Sequence, residues 1–485
     1  MGAFANHFQK RQARACAVAL GAFALFTAVG AAAIARGAND HDRAIEIDLE
    51  ERRNGALRVV YDLPRPVSRL DLGPDLGGYR TRAWRVIGGE AELIVEDGRD
   101  VLRAAAPLTR FRTATLEVAP LRIERPRTYE AISPLGPDGA LIYTGHFQPV
   151  SADGARHRTS ISVTPGNRRH VVAFSEVVPH LSGWRSRFDN PAFIYVGAPP
   201  TIQREDLVAV IDPSIPDWAA NEISAAASAM LDYLGGRFGW ALDATPNLFV
   251  AYEPNGEPGR AMFSGDALPA QIRVGLAGGA WDRPSYFATN VLRTGVAHET
   301  AHIWQTAARP ADAHAPDWIH EGGANAIAAK AMVEIGWWDD GAAARDLATA
   351  RSSCIELIAG TSLPRIEAAG GVDASYACGQ TINELAARAH PDGAIGFWNE
   401  FIQRARASGG YGLDMFFAVA ADHGGERFAL ELRRLATLPQ GRPAETIARI
   451  EAAATGPATG LGAGPVAASG PIIVDGAAIA NVGDD

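Results

Sequence analysis

The sequence predicts an α+β fold, with a β-sandwich-like domain over residues 36–200 followed by a mainly helical domain over 201–450. Three observations predict it. Between Ala44 and Pro200 the apolar residues alternate or come in short runs, the period of strands, whereas beyond Pro199-Pro200 they recur at helical spacing. At 485 residues the chain is also too long for one ordinary hydrophobic core.

At the N-terminal end, Lys10, Arg11 and Arg14 precede an uncharged, Ala-rich stretch from Ala15 to Ala35 that closes in Ala33-Ile34-Ala35. A basic start, an apolar run and small residues at its end predict a secretory signal over residues 1–35. The run just reaches bilayer length, so an uncleaved anchor, tethering the protein through residues 15–35, is the alternative. Both readings export the rest of the chain: periplasmic, secreted, or anchored to the outer face of the inner membrane.

Strand runs follow at Leu57–Tyr61, Leu93–Val95 and Ile161–Val163. Turn chemistry punctuates them: Asp97-Gly98 follows one, Pro137-Asp138-Gly139 precedes another, and Pro165-Gly166-Asn167 is expected to link a hairpin. An antiparallel arrangement is the expectation. Behind a cap at Asp217, Ile223, Ala226, Ala227, Met230, Leu231 and Leu234 form a helical stripe expected to stop at Gly235-Gly236. Two strands are expected next, at Leu248–Tyr252 and Ile272–Leu276, and then helices from Tyr286 onward. Residues 451–485, rich in Ala, Gly and Pro with an acidic end, have the composition of a flexible tail, apart from a brief strand candidate at Ile472–Val474.

Composition sets outer limits on function. Hydrophobic residues make up 47% and charged ones 21%, which excludes a polytopic membrane protein and a wholly disordered chain. The net charge is -10 and the only lysines are Lys10 and Lys330, so no basic stripe is available for a phosphate backbone and no nucleic-acid partner is expected. Beyond the signal, Cys354 and Cys378 read as a disulfide or as inert thiols, because two cysteines this far apart make no ligand motif.

The chemistry concentrates at His298-Glu299-Thr300-Ala301-His302, inside a helical pattern from Tyr286 to Thr306. Residues four apart share a helix face, so both imidazoles can reach one cation. Glu299, about 100° around the helix, lies beside that cation, where an acceptor for a proton from water is needed. The third donor is Glu321, nineteen positions after His302 in Asp317-Trp318-Ile319-His320-Glu321-Gly322-Gly323, with Pro316 and Asp317 starting a second helix. Three such ligands with an open fourth position make Zn2+ the expected cofactor.

His298-Glu-x-x-His302, eighteen residues and then Glu321 in a Trp-x-x-Glu-Gly context resembles the gluzincins, the clan of thermolysin and of the alanyl and glycyl aminopeptidases. Metzincins are disfavoured, since Gln305 and Ala308 stand where their pattern needs Gly and His. The resemblance implies a thermolysin-like zincin catalytic domain, a peptide or protein substrate, and hydrolysis by a zinc-activated water with Glu299 as general base. It also implies roles for two further residues. Asn325, four positions after Glu321, stands where thermolysin-like enzymes hold an acidic residue that orients a zinc-ligating His. Tyr376, in Tyr376-Ala377-Cys378-Gly379, stands where alanyl aminopeptidases hold a Tyr that bonds the oxyanion. Gly259-Arg260-Ala261-Met262-Phe263 lacks the Glu with which a G-x-M-E-N segment holds a free amine, so endopeptidase and aminopeptidase are both open.

Other residues near the motif have plainer readings. The Gln271–Leu276 strand is the expected edge against which an extended peptide would pair. His320, beside Glu321, points away around the helix and is a candidate substrate contact rather than a ligand. His314 falls in a connecting loop, Trp304 and Trp318 in the core, and Trp337-Trp338 in either a surface patch or a buried pair. The ligand set is also compatible with a non-catalytic zincin-fold scaffold that binds a partner, and with a zinc hydrolase of a non-peptide amide or ester.

Overall fold

The computed structural model describes residues 44–454, apart from 122–128, 152–153, 167–168, 175, 186–189, 243, 255–258 and 307–315, together with 480–481. The expected signal or anchor, His314 and the Ile472–Val474 strand candidate lie outside the described residues. Among the described residues no helix is long and apolar enough to cross a membrane.

Alternation builds the first half. In Ile45–Glu51, residues Ile45, Ile47 and Leu49 are buried while Glu46 and Asp48 are exposed. This strand lies inside a six-stranded sheet ordered Leu181–Trp184, Thr159–Thr164, Ile45–Glu51, Leu57–Val67, Phe111–Val118, Trp84–Gly89. A five-stranded sheet runs Glu176–Val178, His170–Ala173, Phe193–Gly197, Ala140–Tyr143, Ile132–Pro134, and a three-stranded one runs Arg69–Pro74, Arg99–Ala104, Ala91–Glu96. All three sheets contribute to one core, through Ile47, Leu70, Leu102, Ile142 and Ile194 among others.

Two turn expectations meet different outcomes. Asp97 and Gly98, with φ of 51° and 72°, join Ala91–Glu96 to Arg99–Ala104 in a tight hairpin, the left-handed pair that strand twist favours. Instead of the hairpin expected at Pro165-Gly166-Asn167, of which Asn167 lies outside the described residues, the strands on either side belong to two different sheets. Thr159–Thr164 pairs in parallel with Ile45–Glu51, which makes that sheet mixed rather than antiparallel, while His170–Ala173 pairs with Phe193–Gly197. Burial explains the crossover: Thr159–Thr164 hides every second residue, but Val171, Val172 and Ala173 are all buried and need cover on both faces.

The second half starts from a sheet ordered Ile202–Gln203, Val208–Ile211, Asn247–Glu253, Gln271–Ala277, Arg260–Leu268, Ala480–Asn481. Gln271–Ala277 pairs in parallel with Asn247–Glu253 and antiparallel with Arg260–Leu268, so it is an interior strand and not the edge expected of it. The sequence reading misses Arg260–Leu268 because its centre, Ser264-Gly265-Asp266, carries turn-type residues.

The helix Asp217–Phe238 follows Pro216 and runs through Gly235-Gly236 to Gly239, which takes the left-handed conformation at φ 73°. Phe238 accounts for the extra turn. It is buried and stacks on Trp304 at 6.0 Å, and burying it, worth roughly 2–3 kcal/mol, offsets the ~1 kcal/mol that each helical glycine costs.

Beyond the sheet come Tyr286–Gln305, Asp317–Glu334, Asp340–Ile358, Leu363–Ala368, Val372–Ala389, Gly393–Ser408, Leu413–Gly424, Glu426–Thr437 and Pro443–Ala454. Trp304, Trp318, Trp398 and Phe416 are buried in the core they share with the sheet. Trp338 is buried and Trp337 partly so, which is the buried-pair reading. Cys354 and Cys378 form a disulfide, with S–S 2.03 Å, between Asp340–Ile358 and Val372–Ala389.

A small apolar cluster of Leu141, Phe193 and Tyr195 with Val208, Val210 and Phe249 joins the five-stranded sheet to the second half. Gln271 adds a polar clamp there. Its Nε2 donates to Phe193 O and its Oε1 accepts from Phe193 N–H, both at 2.7 Å, with every group buried. Gln271→Ala should therefore orphan two buried backbone groups and lower the unfolding free energy by about 2–4 kcal/mol. Urea denaturation measures this, and an unchanged midpoint would mean the clamp carries no stability.

Candidate active site

The motif helix, Tyr286–Gln305, opens with Ser285 accepting the Ala288 N–H at 3.0 Å, an N-cap that satisfies one of its free amides. It packs on the strand Arg260–Leu268 through glycine: a methyl added at Gly295 would overlap the Phe263 ring. His298, Glu299 and His302 are only 1%, 3% and 9% exposed.

The second helix, Asp317–Glu334, brings Glu321 to the two imidazoles. His298 Nε2 and His302 Nε2 are 3.0 Å apart, and each lies 3.3 Å from Glu321 Oε2. Three donors held at 2.0–2.1 Å by a tetrahedral zinc stand ~3.3 Å from one another, so the triangle fits that ion. Burial pushes the Glu321 carboxyl up, but the neighbouring His302, foremost, holds it well below the usual carboxylate range, which keeps it ionised as a ligand must be.

Asn325 lies where the resemblance implies. Its Oδ1 is 2.7 Å from His298 Nδ1, and because that amide oxygen can only accept, the imidazole proton sits on Nδ1 and the Nε2 lone pair faces the triangle.

Glu299, the residue after His298, packs its carboxylate against Gly265 of Arg260–Leu268, where any Cβ would overlap it. Gly265 escaped the sequence reading, although a glycine inside a strand is a standing signal of close approach.

Tyr376 is also buried, its ring 5.8 Å from that of His298. The helix that carries it, Val372–Ala389, meets the Glu321 helix glycine to glycine, and a Cβ on Gly322 would overlap the Gly379 backbone. Glu367 ties the same two helices together: its Oε1 accepts from Trp318 N–H at 3.2 Å and from Ser375 Oγ–H at 2.8 Å. One carboxylate oxygen thus holds both the start of the Glu321 helix and the residue before Tyr376. No local signal marks Glu367, which sits on the short helix Leu363–Ala368.

His320 lies behind the triangle rather than in it. Its ring is 6.5 Å from that of His302 and packs against Trp398 at 5.9 Å and Tyr411 at 5.3 Å. Burial, with a smaller effect of His302, lowers its pKa to about 4, so it is a neutral imidazole.

A chain with this sheet, these helices and this triangle is similar to solved aminopeptidases. An aminopeptidase N family protein from Idiomarina loihiensis superposes with a TM-score of 0.63 at 12% identity, over 84% of this chain and 78% of that one. Legionella pneumophila aminopeptidase A, solved with aspartic acid, gives 0.50 at 11% identity, over 82% of this chain and 49% of that one. No protein-family model matches the chain, and no curated protein matches it in sequence. What is shared at these identities is the fold, a β-rich N-terminal region followed by a mainly helical region.

Because Asn325 sets the His298 tautomer, Asn325→Ala should weaken zinc binding roughly 10- to 100-fold. Chelator competition on the purified protein measures this, and an unchanged affinity would remove Asn325 from that role.

Proposed function

We propose that the protein is an exported, zinc-dependent metallopeptidase in which His298, His302 and Glu321 hold the metal and Glu299 is the general base. The observation that carries this reading is the convergence of three donors, from two helices, to within 3.3 Å, with a nearly buried carboxylate alongside. When bound, zinc supplies Lewis acidity to the scissile carbonyl and to the attacking water. Glu299 accepts the proton that water gives up and returns it to the leaving amine. Tyr376 donates its hydroxyl hydrogen bond to the carbonyl oxygen as negative charge develops there.

The strand Arg260–Leu268 is suited to hold an extended peptide by backbone pairing along the part of its outer side beyond Ala480–Asn481. It passes Glu299 at Gly265, and among the described residues its outer side is paired only at Arg260 and Ala261, by Ala480–Asn481. Export rests on the N-terminal sequence, and the Cys354–Cys378 bridge supports it, since such bonds persist in oxidising compartments.

Glu299→Gln should keep zinc and lose essentially all turnover, whereas Glu321→Ala should lose the zinc itself. Metal analysis beside a peptide-library digest separates the two, and near-normal cleavage by Glu299→Gln would refute its role. Tyr376→Phe should lower kcat by roughly 100-fold with little change in KM. The ligands must be unprotonated, so bound metal and activity should fall together as pH drops; metal analysis at each pH reads the first and the peptide digest the second, and activity falling with metal retained would contradict this. Turnover of simple amides or esters without peptides would move the substrate class. A zinc-loaded chain that turns over nothing would leave a scaffold.

A further inference from the structure

We propose that His390, Glu400 and His423 form a second metal site, separate from the triangle and weaker than it, which takes a divalent transition ion such as zinc and clasps three helices together. His390 follows Val372–Ala389, Glu400 lies on Gly393–Ser408 and His423 on Leu413–Gly424, so each donor comes from a different helix or its end. Both imidazoles converge on one carboxylate oxygen: His423 Nε2 is 2.8 Å and His390 Nε2 3.5 Å from Glu400 Oε2, and the two rings are 4.2 Å apart. Two imidazoles and a carboxylate whose donor atoms all lie within 4.8 Å are a zinc-type donor set.

The surroundings look built rather than incidental. Gly396 lets the His390 ring lie flat on its helix, since a Cβ there would sit 2.5 Å from His390 Cε1. Arg404 pairs with Glu400 Oε1 and with Asp422, which turns the other oxygen, Oε2, toward the imidazoles. His390 is buried and His423 exposed, which leaves one side of the cluster open to solvent.

One contact sets the rank of the two sites. His390 Nδ1 accepts the Asp392 N–H at 3.1 Å, so without metal the ring proton sits on Nε2 and points at Glu400. Metal binding has to move that proton to Nδ1 and give up the amide contact. His298 needs no such change, because Asn325 already holds its proton on Nδ1. The second site is therefore filled after the first.

The test is a zinc titration of the full chain stripped with chelator, followed by bound-metal analysis and thermal melting. Wild type should bind two equivalents in two steps, and the second should raise the melting temperature. His423→Ala and, separately, Glu400→Gln should bind one equivalent and lose that second rise, while His302→Ala should keep the second site. If wild type binds one equivalent and His302→Ala none, the second site is refuted and the triangle stands. If wild type binds one and His302→Ala retains it, the triangle is refuted and the second site stands. Two equivalents in His423→Ala would also overturn the proposal.

Discussion

Two imidazole nitrogens 3.0 Å apart, each 3.3 Å from the same carboxylate oxygen, are brought together from two helices. With its proton on Nδ1, His298 turns the Nε2 lone pair toward the Glu321 carboxylate, which is unfavourable until a cation shares it, so packing elsewhere has to enforce the geometry. The helix Tyr286–Gln305 fixes the two His by local turn geometry alone. Glu321 is different: it depends on where a second helix starts and how closely that helix is approached by a third. Gly322 and Gly379 permit that approach, and Glu367 anchors both partners with one oxygen.

The same close packing governs the chemistry. Glu299 is 3% exposed and packs against a strand that has no side chain at Gly265, so its carboxylate is confined. In the proposed mechanism a base held this way loses little freedom when it acts, the condition for efficient proton transfer. Gln271 belongs to the neighbouring interior strand and is clamped to Phe193, which couples the β-rich sheets to the strand that flanks the site. The β-rich region is thus connected to Arg260–Leu268 by one intervening strand.

Comparing the two His and Glu clusters shows why composition alone does not rank metal sites. Each has two imidazoles and one carboxylate, yet an amide oxygen on His298 and an amide N–H on His390 place the ring protons on opposite nitrogens. The neighbour of the ligand, rather than the ligand, decides which electron pair is ready.

Much of this was legible in the sequence. His298, Glu299 and His302 follow from helix periodicity, Glu321 from spacing and a second helix, Asn325 from the resemblance to thermolysin-like enzymes, and the alternating strands and the Asp97-Gly98 turn from local rules. These features are local, because a residue's direction on a helix or strand depends on neighbours a few positions away. Tertiary structure decided the rest: the pairing of Arg260–Leu268 beside Gln271–Ala277, the contact of Gly265 with Glu299, the Glu367 anchor, the crossover after Pro165-Gly166 and the extra turn that buries Phe238. Each of these depends on groups brought together from distant parts of the chain, whose burial and close approach outweigh local preference and leave no periodic trace for a sequence reading to follow.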